Sequence, residues 1–184
     1  MTSLKAVFKK IALGLIFTIS ITVTITFTPG SSNSTNQNQQ TNTALLIKPA
    51  LVIKVIDGDK ILIIDDGKAD KIRLCSIDAP QLNQPLGLQS QANLQRLVDE
   101  GNGEVLVAPV KRDTFGFMVA EVSIKVNQIR NSQVKDLSDV QVANGLATFD
   151  TQFSQGCQNM KSIAQTQIKS RQQQIGVWKN ILFK

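Results

Sequence analysis

The sequence predicts an α+β domain: a five-stranded OB-fold β-barrel with about three helices, preceded by an N-terminal apolar segment and a disordered linker. Three observations carry this expectation. Three short β-branched runs between Leu51 and Ile77 are separated by turns rich in Asp and Gly, which reads as an antiparallel meander. A helix-periodic stretch comes after the third run, and two further strand-like runs come after that helix. Two more helix-periodic stretches then close the chain, and five short strands with a helix after the third suit a small Greek-key barrel.

In chain order, Lys5, Lys9 and Lys10 precede an uncharged apolar stretch, Ile11 to Thr28, which would be about 27 Å long as a helix. A basic flank on the N-terminal side predicts a cytoplasmic N-terminus and export of the chain downstream of it. Residues 1–28 are therefore expected to be a signal peptide or a membrane anchor, and the protein to be extracytoplasmic, either secreted or held at the membrane by residues 11–28. Residues 29–44 are uncharged and rich in Ser, Thr, Asn and Gln; with nothing to bury, they are expected to form a flexible linker. Residues 45–184 are expected to form the folded domain.

Within that domain, Leu51–Ile56 and Lys60–Ile64 flank Asp57-Gly58-Asp59 as a hairpin. Asp65-Asp66-Gly67-Lys68 makes the next turn and Lys71–Ile77 the third strand. After Pro85, apolar residues recur at helical spacing from Leu88 to Val98, with Gly101 as the stop. Val105–Val110 and Met118–Val126 read as strands around an Asp113–Gly116 turn, and Pro109 predicts an edge or bulged strand. Val134, Leu137, Val140 and Ala143 predict a short helix ending near Gly145, and residues 155–175 a third helix before Gly176.

The charge is uneven. The chain has 20 basic and 14 acidic residues, a net of +6, but residues 1–50 hold four Lys and no acid. Residues 51–184 thus carry 16 basic and 14 acidic groups, so the domain has no strong steering field and any nucleic-acid interaction depends on local placement. The absence of His excludes Ser-His-Asp and Cys-His catalysis and His-ligated zinc, and two cysteines are too few for a thiolate zinc site. The remaining inventory favours an oxygen-ligated cation or no metal.

The chemistry concentrates in Arg73-Leu74-Cys75-Ser76-Ile77-Asp78-Ala79-Pro80-Gln81. A strand ending in a rigid Ala-Pro turn aims Asp78 outward. Asp57-Gly58-Asp59 lies one hairpin earlier. Two carboxylate-bearing turns with a guanidinium on the neighbouring strand suit a hard cation facing a phosphodiester. Two plainer readings stand beside this: Asp-Gly-Asp as a simple turn, and Arg73 as an ion-pair partner of Asp59 or Asp78. Lys161, Lys169, Arg171, Lys179 and Lys184 read either as a basic strip or as a solvated helix face.

From about residue 50 to Trp178 the chain resembles the staphylococcal nuclease (thermonuclease) family. The resemblance rests on Val55-Ile56-Asp57-Gly58-Asp59, Arg73-Leu74-Cys75-Ser76-Ile77-Asp78-Ala79-Pro80, Gln84-Pro85-Leu86-Gly87, Asp113-Thr114-Phe115-Gly116, Val142-Ala143-Asn144-Gly145-Leu146-Ala147 and Gly176-Val177-Trp178. It implies an OB-fold barrel that binds one calcium ion and hydrolyses DNA and RNA. Asp59 and Asp78 match the calcium-coordinating carboxylates, and Arg73 matches an arginine that contacts phosphate. Phe115 matches an aromatic lining the nucleotide site, with Asp113 beside it.

Two positions depart from the family. Gln81 replaces a Glu that activates water, and Gln is no carboxylate base. Phe117 replaces a second phosphate-binding Arg; Lys111 and Arg112 lie close enough in sequence to supply charge instead. The resemblance with these departures implies an interaction with nucleic acid, a weakened Ca2+ site, and phosphodiester hydrolysis weak or lost. The alternative is a non-catalytic OB-fold module that binds single-stranded nucleic acid or a protein partner. Cys75 and Cys157 are expected either to form a disulfide, in keeping with export, or to be a buried strand residue and an exposed loop thiol.

Overall fold

The computed structural model describes residues 46–128 and 131–179. The expectations for residues 1–28 and 29–44, and for Lys184, lie outside them. Strands β1 (Lys48–Val55), β2 (Lys60–Asp65) and β3 (Lys68–Leu74) form the meander, in antiparallel pairs such as Leu51↔Ile64 and Ile61↔Ile72. β4 (Ile77–Asp78) is a two-residue strand, and helix α1 (Gly87–Glu100) comes after it. Then come β5 (Glu104–Arg112), β6 (Met118–Gln128) and β7 (Asn131–Asp136). Helix α2 (Leu137–Ala143), β8 (Thr148–Phe149), helix α3 (Met160–Gln172) and a 3₁₀ turn (Gly176–Trp178) complete the domain.

The barrel closes because β6 pairs on both sides, antiparallel with β5 and parallel with β3 through Arg73↔Val119. β5 returns to β1 through Ala50↔Val105. The ring is therefore β1-β2-β3-β6-β5, the five-stranded OB barrel that the sequence predicts, and closure leaves no free edge within it. Its interior is filled by Ile61, Ile72, Leu74 and Ile124, and α1 covers one end with Leu94, Leu97 and Val98. Each such side chain contributes about 1.5–3 kcal/mol of burial. Among the described residues no helix is long and apolar enough to cross a membrane.

Pro109 lies at a bulge: the β5–β6 register passes from Pro109↔Ala120 to Lys111↔Val119, leaving Val110 as the extra residue. Three expectations about boundaries need correction. The third strand stops at Leu74 instead of running to Ile77, because Ser76 adopts a positive φ of 65° and its N–H donates to the Phe153 carbonyl at 3.0 Å. Ile77–Asp78 is thereby free to pair with β8. Val134 belongs to β7, paired with Lys125 and exposed, and not to the second helix. That helix starts one residue after Asp136, whose carboxylate caps it by accepting the Asp139 N–H at 2.9 Å. The third helix is also shorter than its periodic stretch, spanning Met160–Gln172.

Two long-range ties fix the C-terminal part, one to the end of β3 and one to the turn after α2. Cys75 and Cys157 are bonded, with a Cα–Cα distance of 6.1 Å across a sequence separation of 82. Gly145 and Gly176 meet back to back: the Val177 N–H donates to the Gly145 carbonyl at 2.8 Å, and a Cβ on Gly176 would lie 2.0 Å from that oxygen. Both glycines have positive φ, so a side chain is excluded there by space and by conformation.

Candidate functional site

The Asp57–Asp59 turn closes the β1–β2 hairpin, with the Ile56 N–H donating to the Lys60 carbonyl at 2.8 Å. Gly58 is required by close approach, since a Cβ would lie 1.9 Å from Ser90 Oγ on α1. The buried Gln141 amide also donates to the Gly58 carbonyl at 2.6 Å. The turn is thus docked against two helices. Asp57 Oδ1 accepts the Asp59 N–H at 3.1 Å, and the Asp59 carbonyl accepts the Leu74 N–H at 2.9 Å. Pinned from both sides, the Asp59 side chain is fully buried.

Every carboxylate oxygen of Asp59 has a partner. Oδ1 lies 2.7 Å from Lys60 Nζ, while Oδ2 lies 3.1 Å from Arg73 Nη2 and accepts the Ala79 N–H at 3.3 Å. Lys60 Nζ also reaches Asp57 Oδ2 at 3.0 Å. Arg73, only 7% exposed, extends the network by donating from Nη2 to Asp78 Oδ1 at 2.9 Å. Its guanidinium stacks on the Phe153 ring, 3.5 Å from the centroid. Its Nε is buried with no hydrogen-bond partner among the described residues.

Burial dominates the electrostatics here. It pushes the Asp59 carboxyl up to about 6, helped by the hydrogen bond to Asp57, and Arg73 and Lys60 only partly offset it. Asp57 is also raised by burial, yet the hydrogen bonds from Asp59 and Lys60 prevail and hold it below the ordinary carboxylate value. For Lys60, burial opposes the charge but the Asp59 carboxylate outweighs it, so its pKa is raised.

The Asp113–Phe117 turn builds a separate feature. Asp113 Oδ1 accepts the N–H groups of Phe115 and Phe117 at 2.9 and 2.8 Å, a structural role in which the carboxylate shapes the turn. Phe115 projects from it, 77% exposed. Beside it lies an open cleft of about 210 Å³ lined by Lys111, Arg112, Phe115 and Phe153. Lys111 Nζ bonds Gln155 Oε1 at 3.3 Å, and Arg112 forks onto Asp70 at 3.0 and 2.6 Å. Arg112 is thereby engaged by Asp70. The Phe117 ring faces Lys71, whose Nζ is 5.8 Å from its centroid. Gln81 is exposed on the loop before α1, its N–H donating to Gln84 Oε1 at 2.8 Å. On α3, Lys161 and Lys169 are exposed, while Arg171 lies over Trp178 at 5.6 Å.

The structure thus gathers Asp59, Asp78 and Arg73 into one network and gathers Lys111, Arg112 and Phe115 around a cleft. Phe153 touches both, and sequence reasoning missed it. No local signal marks it: the residue lies 80 positions from Arg73 and is brought there by the Cys75–Cys157 loop. Lys60 and Asp57 were also missed as site residues. Their signal was present, since a lysine directly after an Asp-Gly-Asp turn stands within reach of both carboxylates.

A calcium ion takes six to eight oxygens at about 2.3–2.6 Å. As arranged, this set does not fit one: both Asp59 oxygens are engaged by cations, and Asp57 Oδ2 shares the Lys60 ammonium. Among the described residues no group of three or more His, Cys, Asp or Glu side chains is arranged to hold a metal ion.

Comparisons with known proteins agree with the fold and with the Arg73 stretch. An uncharacterized endonuclease of Escherichia coli O157:H7 is 38% identical over 81 residues, which is 42% of this chain and 52% of the relative. An uncharacterized endonuclease of Haemophilus influenzae is 30% identical over 128 residues, 69% of this chain and 64% of the relative. A micrococcal nuclease of Shigella flexneri is 24% identical over 129 residues, covering 69% and 71%. The chain spans about half the length of the Escherichia coli relatives it matches. Residues 71–180, more than half of the chain and including Arg73, Asp78 and Phe117, match the family described as staphylococcal nuclease homologue. The chain belongs to the staphylococcal nuclease family.

Proposed function

We propose that this domain binds single-stranded nucleic acid on the barrel surface beside Phe115 and that calcium-dependent phosphodiester hydrolysis is weak or lost. The observation that carries this reading is the state of Arg73. The cation matched to the transferring phosphate is 7% exposed, paired with two carboxylates and covered by Phe153. With Gln81 and Phe117 in place of a carboxylate and a guanidinium, the site lacks a general base and a second charge donor. Losing a base lowers a rate by typically about 10² to 10⁴, and losing an oxyanion-type donor by roughly 10² to 10³.

Nucleic-acid binding is supported by family membership and by the cleft. An exposed aromatic ring beside Lys111 offers a base a stacking surface and its phosphate a cation, while Arg112 is held by Asp70. Sequence-tolerant binding to single strands is the chemistry such a surface supports. The alternative occupant of the groove is a protein partner. We further propose that the domain is exported, as a secreted protein or one anchored to the membrane through residues 11–28. The Cys75–Cys157 bond supports an oxidising compartment.

The test is fluorescence anisotropy of the purified protein with a labelled single-stranded oligonucleotide at low salt. Binding that weakens by about 1–3 kcal/mol in Phe115→Ala supports the stacking surface. Equal affinity of wild type and variant would remove the cleft from the account. The double variant Gln81→Glu with Phe117→Arg should gain hydrolysis if only the reacting groups were lost; a folded but inactive double variant would place the defect in the groove or in the carboxylate site that Lys60 and Arg73 occupy.

A further inference from the structure

We infer that the Lys60 ammonium is the resident cation of the Asp57 and Asp59 carboxylates, occupying by covalent attachment the place a divalent metal would need. Lys60 pairs directly with Arg73 in the antiparallel β2–β3 ladder. Like charges directly opposite one another in such a ladder are destabilising unless something lies between them. Here the Asp59 carboxylate bridges them, one oxygen 2.7 Å from Lys60 Nζ and the other 3.1 Å from Arg73 Nη2. Each of the three groups makes the placement of the other two tolerable. Asp57 adds a second anchor for the ammonium at 3.0 Å, so Lys60 is held by two carboxylates and not by one.

Charge balance points the same way. Three carboxylates face one ammonium and one guanidinium, which leaves a single negative charge, carried towards solvent by Asp78, whose side chain is 49% exposed. By charge count the two buried anions, Asp57 and Asp59, already face two cations. A divalent ion entering beside Asp59 would either meet the ammonium at close range or have to expel it. Expulsion is opposed by tethering: Lys60 adjoins Asp59 in sequence, so its ammonium competes at an effective concentration on the order of millimolar. The strong carboxylate interaction of Lys60 also keeps it charged in place despite its partial burial. The site is then a metal-free knot that ties the first hairpin to β3 and to the turn at Ala79, which donates its N–H to the same Asp59 oxygen that faces Arg73.

The test is calcium titrated into the purified protein by isothermal calorimetry, with thermal melts in millimolar calcium and in EDTA. Wild type is expected to show no heat of binding and melting midpoints that agree within about 1 °C in the two buffers. Lys60→Ala is expected to melt lower than wild type in EDTA and to recover about 2–4 °C in calcium, as the vacated carboxylates accept the ion. Lys60→Arg should stay unresponsive to calcium, because charge is retained. If Lys60→Ala fails to fold, Lys60→Gln serves for the same comparison. Stoichiometric calcium binding by wild type would overturn the inference, and so would a folded neutral variant indifferent to calcium. Neither readout involves nucleic acid, so failure here leaves the binding reading standing.

Discussion

Two arginine–carboxylate contacts in this domain use the same chemistry and shift their carboxyl groups in opposite directions. At the rim, Arg112 forks onto Asp70 with both nitrogens, and this hydrogen bonding holds the Asp70 carboxyl below its ordinary value. At the core of the site, Arg73 reaches Asp59 with one nitrogen, and the Asp59 carboxyl is pushed up to about 6 even though a second cation, Lys60, stands 2.7 Å away. The better geometry belongs to the exposed pair. Water separates them: desolvation of Asp59 exceeds the stabilisation its partners return. A buried network of this kind is poor evidence for added stability, but breaking it is expensive because the remaining charges have nowhere to go.

The sharpest break in this comparison is Arg73→Ala. It removes one of the two cations on buried Asp59 and leaves its Oδ2 with only the Ala79 N–H, and a loss of about 3–5 kcal/mol is expected in urea or guanidinium unfolding. A loss no larger than that of a surface substitution would mean that Asp59 is solvated after all. Next comes the bond that holds the Phe153 loop over Arg73. Replacing Cys75 and Cys157 by Ser is expected to lower stability by about 2–4 kcal/mol, measurable as the difference between oxidised wild type and the double variant. Unchanged stability would indicate that Phe153 packs on Arg73 without the covalent tie.

The smallest effect belongs to the rim. Asp70→Asn should shift the unfolding midpoint at neutral pH by an amount near the resolution of a denaturant titration, because exposed pairs are screened. Its pH dependence sharpens the contrast. A carboxyl whose folded pKa lies below the unfolded value of 3.8 stabilises the fold above that value and loses the contribution as pH falls through the folded pKa. The gap between wild type and Asp70→Asn should therefore close in acid, read as converging unfolding midpoints. A gap that widened on acidification would reverse the assigned direction.

The barrel was legible because its determinants are local. The Asp-Gly turns, the β-branched runs, the Gly101 stop and the bulge at Pro109 each report on a few neighbouring residues, and barrel closure results once five strands are in order. β7 was less so: Val134 shares helical spacing with Leu137, and only pairing with β6 makes it a strand. The candidate site divides in the same way. Asp59, Asp78 and Arg73 stand in short motifs and were found from the sequence. Lys60 was readable from its place after the turn but was assigned only to a strand. Phe153 was not readable, since its contact with Arg73 depends on a loop folded back across the end of β3 and fastened at Cys75.

The most direct test of the proposed loss of catalysis is a single-turnover cleavage assay of the purified protein on single-stranded DNA, in calcium and in EDTA, with binding measured in the same samples. Binding in both buffers with no calcium-dependent product is the expected result. Rapid cleavage in calcium that disappears in EDTA and in Asp78→Ala would contradict it, and would mean that a divalent ion displaces Lys60 and frees Arg73 for phosphate.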